Sequence, residues 1–555
     1  MSGADGPAAD VGGWEPLDHS CDTFAALVRS FTATAACPML SDSIDTSRKW
    51  DVIVIGSGIG GATVARSLAH MGLEVVVLEK GRRISATVEQ DQGAAPETRI
   101  ERGWWPMPLS ERKSDGSYGS VFAAIGCAVG GSSIHYAAAL ERMAPTDFQP
   151  LMAVDRNLRR WPVTYGEFLP HYMAAEELYR VQMASDAAMR RLSEWDLALM
   201  ENMRRNGLSP ELLHVGIRYD EQCEECIGRV CPRNCKADAL SACLDEALRR
   251  GNCRLLEDCD VQSLEATATS VKGVRAIWRG KEILLNGRVV VLCAGALRSP
   301  LILLRSANPA WPGGLANNSD QVGRNLMFHT SDLFAIWAPR RYDRHGRQKK
   351  AISVRDFYLL DGERLGYVQS MGIEIGRGAI AIHLKTIMRR YGVRNERLLS
   401  ALANVPSHLG ATLFGKAALF AAMTEDDPDP ANRITLDPEQ PDGARFTYTI
   451  SDDLRRRADM LYREFATAIK PWRLARLSTA LSMNYGHPCG TCTFGEDPKF
   501  SVLDRHCKAH GMSNLFVVDG SFMPRSGAVN PSLTIAANAL RVAPEIAAVV
   551  GLRAQ

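Results

Sequence analysis

Gly56-Ser57-Gly58-Ile59-Gly60-Gly61 puts glycines where a chain can wrap a pyrophosphate. The first permits a tight turn, the second lets phosphate approach the backbone, and the third, Gly61, lets a helix pack close on a strand. A helix starting there turns free N–H groups and its positive dipole end toward the anion. Glu79 follows 18 residues after Gly61. A carboxylate at that point accepts hydrogen bonds from both hydroxyls of a ribose and repels a 2′-phosphate, so NADP is disfavoured. A second constellation is Cys223-x2-Cys226-x4-Cys231-x3-Cys235, with Pro232 and Lys236 beside the last two thiols. Thiolates this close can hold an iron–sulfur cluster or zinc, although the spacing is neither a standard ferredoxin nor a zinc-finger pattern. Free or paired thiols are the alternative. Cys243, Cys253, Cys259 and Cys293 are scattered and read as core residues.

The elements that must position these groups are legible around the glycines. Asp51–Ile55 is a β-branched run closed by glycine, the pattern of a buried parallel strand. Ala62–Met71 reads as a helix and Leu73–Leu78 as the next strand, a βαβ unit. Residues 165–210 read as helical with polar loops. Val289–Leu292 and Leu515–Val518 are apolar strands, and Ser532–Val550 is a closing helix. Between 330 and 470, strand-like pieces such as Leu365–Ile373 alternate with helical ones such as Arg397–Phe414. No internal repeat is found. The expected fold class is α/β, a Rossmann-like unit assembled from separated segments with a second, inserted α+β domain.

The chain has 555 residues, 46% of them apolar, enough for more than one domain. Its 65 basic and 63 acidic residues balance, so nothing points to a nucleic-acid partner. No uninterrupted apolar run of 18 residues is seen, so no membrane span is expected. Residues 1–49 read as an arm with one short helix near Phe24–Thr32 and a poor secretory signal, hence a cytoplasmic protein.

Four further segments resemble the glucose–methanol–choline (GMC) oxidoreductase family, which binds FAD. They are Gly126-Cys-Ala-Val-Gly-Gly-Ser-Ser-Ile-His-Tyr136; Gly295-Ala-Leu-Arg-Ser-Pro300 with Leu303-Leu304; Val322-Gly-Arg-Asn-Leu326 with His329; and a long final set. That set comprises His487-Pro-Cys-Gly-Thr-Cys492, Ser501-Val-Leu-Asp504, Leu515-Phe-Val-Val-Asp-Gly-Ser521 and Asn530-Pro-Ser-Leu-Thr-Ile535. The second segment departs from the family pattern, with Ala307-Asn308 in place of its usual closing Ser-Gly. The resemblance spans residues 51 to 546 and leaves out the first 49. It implies an FAD-binding domain from 50–145, 245–329 and 475–555. The substrate domain, with an antiparallel sheet and the cysteine-rich loop, would take 146–244 and 330–474.

By resemblance, Gly130, Gly131 and Ser132 lie along the flavin and pyrophosphate. Val261 offers its backbone to the adenine, and Asp519-Gly520 stands near the pyrophosphate. Residues 529–532 approach the pyrimidine end of the flavin. Ser133-Ile-His-Tyr136 is similar to the pyranose-oxidising and sugar-dehydrogenase branches, which makes His135 a residue that stacks on or is bonded to the flavin, or simply packs beside it. His487 holds the position of the base and Asn530 that of the group bonding the substrate oxygen. A neutral imidazole suits proton abstraction near neutral pH. A carboxamide donates to a developing alkoxide without titrating. The plain alternative is a packed histidine in a Gly/Pro turn and a helix cap.

The implied activity is FAD-dependent oxidation of a hydroxyl on a sugar or amino-sugar to an aldehyde or ketone. The hydride goes to flavin N5, and O2 or another acceptor reoxidises the flavin. The amino-sugar branch belongs to antibiotic biosynthesis. Two rivals stay open: the flavin subunit of an electron-transferring dehydrogenase with an iron–sulfur cluster, and a non-redox lyase on the same fold. Glu425-Asp-Asp427 with Asp429 is either bait for a cationic amino-sugar or a solvated loop.

Overall fold

The computed structural model describes residues 44–551 apart from 87–95, 113–117, 150–159, 183–188, 190–191, 221, 340–349, 373–379, parts of 382–394, 415–416, 441–442, 478–480 and 482. The expected arm and its helix near Phe24–Thr32 lie outside the described residues. Strand β1 (Lys49–Ile55) begins two residues before the expected start, already inside the stretch read as an arm. It is followed by α1 (Ile59–His70) and β2 (Val75–Leu78). Parallel partners flank β1 on both sides: β2 on one, and β6 (Lys281–Leu292) on the other. The sheet continues outward from β2 to β3 (Cys253–Leu256). From β6 it passes to β5 (Val271–Trp278) and β4 (Cys259–Ala266) as an antiparallel meander. Strand β14 (Leu515–Val517) adds a further parallel partner to β6. The β-branched runs of β1, β2 and β6 are buried on both faces, as a sheet covered by helices requires.

The cover on one side is α1 and the final helix, α5 (Ser532–Val550). By length and composition α5 could cross a bilayer, although Asn538, Arg541 and Glu545 interrupt its apolar run. It instead lies in the main core, 61% buried. The Thr534 hydroxyl meets Tyr172 of α2 (Tyr165–Leu178) at 2.8 Å. The helix begins right after Asn530-Pro531, so its N-terminus and Asn530 are placed together.

A second, antiparallel sheet is built from the middle of the chain. Its order runs β12 (Arg473–Arg476), β8 (Asp332–Trp337), β11 (Ala417–Met423), β10 (Tyr367–Ser370), β9 (Ile352–Val354), then Glu211–Leu212. One face packs against residues 194–205 and α4 (Asp452–Ala468) through Trp195, Leu199, Phe465 and Trp472. Alternation along β10 sends Val368 into that packing, while Tyr367 on the other face joins the main core. A separate ribbon pairs β7 (Met327–Thr330) with β13 (Met483–Cys489) and sets His329 opposite Asn484. Between β10 and β11 the chain leaves the sheet for α3 (Glu396–Phe414).

Gly60 also proves structural. A Cβ there would stand 1.9 Å from the Val518 carbonyl oxygen, and one at Gly61 would stand 1.9 Å from the Gly56 oxygen. Both obstacles are backbone and cannot yield. Gly60→Ala should therefore destabilise the fold as much as Gly61→Ala, by about 3 kcal/mol or more, measured by denaturant unfolding. A loss under about 1 kcal/mol would show that β14 is free to move away from α1.

Candidate active site

Two glycine loops far apart in sequence meet at the carboxyl end of the parallel strands. Gly56 has φ +98°, and a Cβ there would lie 2.3 Å from the Cys293 carbonyl oxygen, so only glycine makes this turn. Gly131 approaches so closely that its Cβ would be 2.9 Å from Gly58 Cα. A Cβ at Gly58 meets nothing nearer than 4.0 Å, which leaves space for a ligand at the start of α1. What joins the loops is Ser57, fully buried. Its hydroxyl donates to Glu79 Oε2 at 2.6 Å and accepts from the Gly130 amide at 3.0 Å. Glu79 also accepts from the Ser57 amide (3.0 Å) and the Gly81 amide (2.8 Å). Burial pushes its carboxyl up, and these bonds oppose that shift. Ser57 is a spacer in the motif, so nothing in the sequence marked it. The carboxylate expected to face a ribose is thus first an anchor, and the remaining acceptor positions of its oxygens are what a ribose would use.

Asp519 braces a second pair of turns. One oxygen accepts from the Gly295 amide at 2.8 Å and from the Ser299 hydroxyl; the other accepts from the Ser521 amide at 2.9 Å and from the Ser521 hydroxyl. Gly520 follows it at the start of a short 3-10 turn. Ser132 accepts from the Gly126 amide at 2.9 Å, closing its own loop. Val261 lies on β4, the sheet's outer strand, where the register slips between Val261 and Ser263. His135 is buried and stacks on Trp104 at 3.8 Å, with Nε2 at 3.2 Å from the Gly103 carbonyl oxygen. Trp104 covers one ring face, so any stacking on a cofactor is confined to the other. Nδ1 of His135 is buried without a partner. The glycine cradle, the open side of Gly58 and this lone acceptor fit FAD.

His487 lies on β13, half-buried. Burial, His329 and Lys350 together hold its imidazole well below the usual histidine value, so the ring is neutral. His329 meets it edge-on, ring centres 5.3 Å apart, and faces the Ser526 carbonyl at 3.1 Å through Nε2. Burial pushes His329 down to about 4, so it too is neutral. Asn484 turns Nδ2 toward His487 Nδ1 at 3.3 Å, its own oxygen held by the Gly486 amide at 3.0 Å. Asn530 stands before α5, and its Oδ1 accepts from the Tyr367 hydroxyl at 2.7 Å. With the oxygen engaged, the amide NH2 is the end left for a substrate. Tyr367 and Asn484 carry no sequence signal. Both act through neighbours that only the fold supplies.

Two expectations are corrected. In the acidic stretch Asp429 is exposed, as a solvated loop would have it, but Glu425 and Asp427 are engaged by arginines of the protein. Glu425 is fully buried and pairs with Arg525 at 2.9 Å and Arg364 at 3.7 Å. Burial opposes its ionisation, but these arginines outweigh it and hold the carboxyl down at about 2. Asp427 pairs with Arg525 at 2.9 Å and Arg457 at 2.6 Å. Asp426 accepts from Tyr448 (2.7 Å) and the Phe328 amide (3.0 Å), and burial lifts it to about 7.

The second correction is the metal site. Cys226, Cys231 and Cys235 pack as one small cluster with Cys223 against it. Among the described residues, however, no three His, Cys, Asp or Glu side chains stand as a metal-holding group. Cys235 donates to Asp220 at 3.4 Å, and burial lifts its thiol to about 11. Cys223 accepts from the Glu225 amide at 3.4 Å. Cys226 and Cys231 hydrogen-bond to each other, while Cys235 and Cys223 take the separate partners just named. Cys243, Cys253, Cys259 and Cys293 are core residues as expected.

Models of the family described as GMC oxidoreductase match residues 50–331 and 423–539. The chain is similar to 6'''-hydroxyparomomycin C oxidase of Streptomyces lividus, 27% identical over 90% of this chain and 92% of that protein. It is 28% identical to paromamine 6'-oxidase of Streptomyces fradiae, over 91% and 93% respectively. The fructose dehydrogenase large subunit of Gluconobacter japonicus is 26% identical, over 89% and 97%. Among solved structures, pyridoxine 4-oxidase from Mesorbium loti shares the fold with a TM-score of 0.64 at 20% identity, covering 90% of this chain and 99% of that one.

The ion cluster yields a stability test. Arg525→Met leaves Glu425 with one distant arginine in a dry site, which should cost about 3–5 kcal/mol by chemical denaturation. An unchanged unfolding midpoint would mean that Glu425 is not ionised in the folded protein.

Proposed function

This chain belongs to the GMC oxidoreductase family, and from that premise we propose that it oxidises a sugar or amino-sugar hydroxyl to an aldehyde or ketone, with His487 as the base. The enzyme is an FAD-dependent oxidoreductase of CH–OH groups. FAD, when bound, supplies the acceptor for hydride. The glycine loops around Gly56–Gly61 and Gly130–Ser132, with Glu79 and Asp519 behind them, would hold it.

What supports the reading is a neutral imidazole on β13 and a carboxamide just before α5 whose oxygen is taken by Tyr367, with His329 meeting the first edge-on and facing the Ser526 carbonyl, four residues before the second. His487, kept uncharged by burial and its cationic and histidine neighbours, has a lone pair for the hydroxyl proton. While Asn484 donates to Nδ1, the ring carries its hydrogen on Nε2. That contact is long, 3.3 Å, so moving the hydrogen to Nδ1 and freeing the Nε2 lone pair gives up one weak bond, about 0.5–1.5 kcal/mol. The amide of Asn530, held by Tyr367, donates to the substrate oxygen as negative charge develops there. The N-terminus of α5 adds a fixed positive dipole end beside it.

The sugar or amino-sugar class is supported by the names of the relatives, two of them oxidases of aminoglycoside-type compounds. It draws no support from the acidic stretch, whose charges are spent on arginines. Reoxidation by O2 or another acceptor completes the cycle.

Three outcomes are expected from anaerobic rapid mixing with a panel of sugars and amino-sugars. The wild-type flavin bleaches with a substrate alcohol, which a lyase would never show. His487→Ala retains FAD but is reduced about 10²–10⁴-fold more slowly; normal reduction would remove His487 from the mechanism. The wild-type rate stays flat as pH falls through 6.5, because the base remains unprotonated well below that value. A titration centred at 6.5 would contradict the shift.

Tyr367→Phe should slow reduction about tenfold at unchanged flavin content, and add nothing in an Asn530→Ala background. Additive losses would mean that Tyr367 acts elsewhere.

A further inference from the structure

Helix α3 presents an apolar stripe to the outside. Leu398, Leu402, Val405 and Leu409 are 49%, 48%, 65% and 61% exposed. Their spacing of four, three and four residues puts all four on one narrow face. The face that packs inward is a different one: Leu399, Ala403 and Ser407 are buried. The stripe is continuous over about three turns, whereas exposed apolar residues scattered singly need no explanation.

The same excursion between β10 and β11 is basic. Residues 374–416 contain seven lysines and arginines against two glutamates, in a chain whose net charge is only +2. Arg397 and His408 are exposed on α3 itself, and Lys385 reaches Ser400 of α3 at 2.8 Å. We infer that this helix is a docking face for an anionic lipid surface, its Leu/Val stripe entering the headgroup boundary while Arg397 on its flank meets lipid phosphates, in a segment that is basic in sequence. An amphipathic helix with an apolar stripe and a cationic flank has this chemistry. A second copy of the chain fits less well. It would bring two segments of the same strong positive charge together, which disfavours self-association.

The inference is independent of the catalytic reading, because it rests on α3 and not on His487, Asn530 or the glycine loops. The test is sedimentation of the FAD-loaded, full-length enzyme with phosphatidylcholine vesicles, with and without phosphatidylglycerol. Retention on the anionic vesicles should exceed that on neutral ones by about tenfold and fall as salt is raised. Leu402→Glu with Val405→Glu should abolish retention while flavin content and turnover of a soluble alcohol stay unchanged. Arg397→Glu should weaken retention and leave the stripe intact. Failure to sediment with either vesicle, equal retention on both, or a dimer in light scattering that the Leu402→Glu, Val405→Glu variant dissolves would each overturn the assignment.

Discussion

The fold of the cofactor region depends on one buried hydroxyl. Ser57 donates to Glu79 and accepts from Gly130, so a single oxygen ties the first βα turn to a loop more than seventy residues later. Glycines at Gly56, Gly58 and Gly131 give the backbones room to approach, but that freedom must be spent on one arrangement. Without Ser57 the Gly130 amide would be buried unbonded, a costly state in a dry site. Asp519 repeats the device with the Gly295 turn and Ser521. Two buried carboxylates, each accepting from amides and hydroxyls, therefore rigidify the loops before any ligand arrives.

The reacting groups are kept apart from formal charge by a neighbouring layer that is full of it. His487, His329 and Asn530 are neutral, and burial keeps both imidazoles so. Behind them Glu425, Asp427, Arg525 and Arg457 form an ion network joined through Arg525, with Arg364 at 3.7 Å from Glu425 Oε2. Such a network adds little net stability, but breaking it is expensive. It therefore acts as a rigid platform under β7 and the chain from Arg525 to Asn530, the segment that delivers Ser526 to His329 and Asn530 to Tyr367. Lys350, buried and held down at about 8, adds positive potential that further disfavours an imidazolium at His487.

The second sheet shows how an inserted region can serve a site it does not contain. Its alternation divides the labour: Val368 and Phe420 bind the covering helices, while Tyr367 reaches the main core and orients Asn530. The long excursion carrying α3 leaves the same strands and has its own polarity, an exposed apolar stripe in basic surroundings.

The sequence by itself determined the βαβ unit and the closing helix, because β-branched runs, glycine turns and apolar periodicity are local consequences of backbone sterics and burial; the family came from the resemblance of its motif segments, and family models match residues 50–331 and 423–539. It also named His487, Asn530 and Asp519 as site candidates through the family resemblance, and Glu79 through its place at the end of the second strand. What it could not supply was the set of partners. Ser57, Tyr367 and Asn484 have ordinary side chains at unremarkable positions, and their roles arise from contacts 3 to 163 residues away in the chain. For the acidic stretch at Glu425, charge pattern alone carries no information about burial, and for the four close thiols, spacing leaves ligands and free or paired thiols equally open because it does not say where sulfur atoms point. Only tertiary structure decides those matters, since desolvation and hydrogen-bond partners are properties of the packed chain.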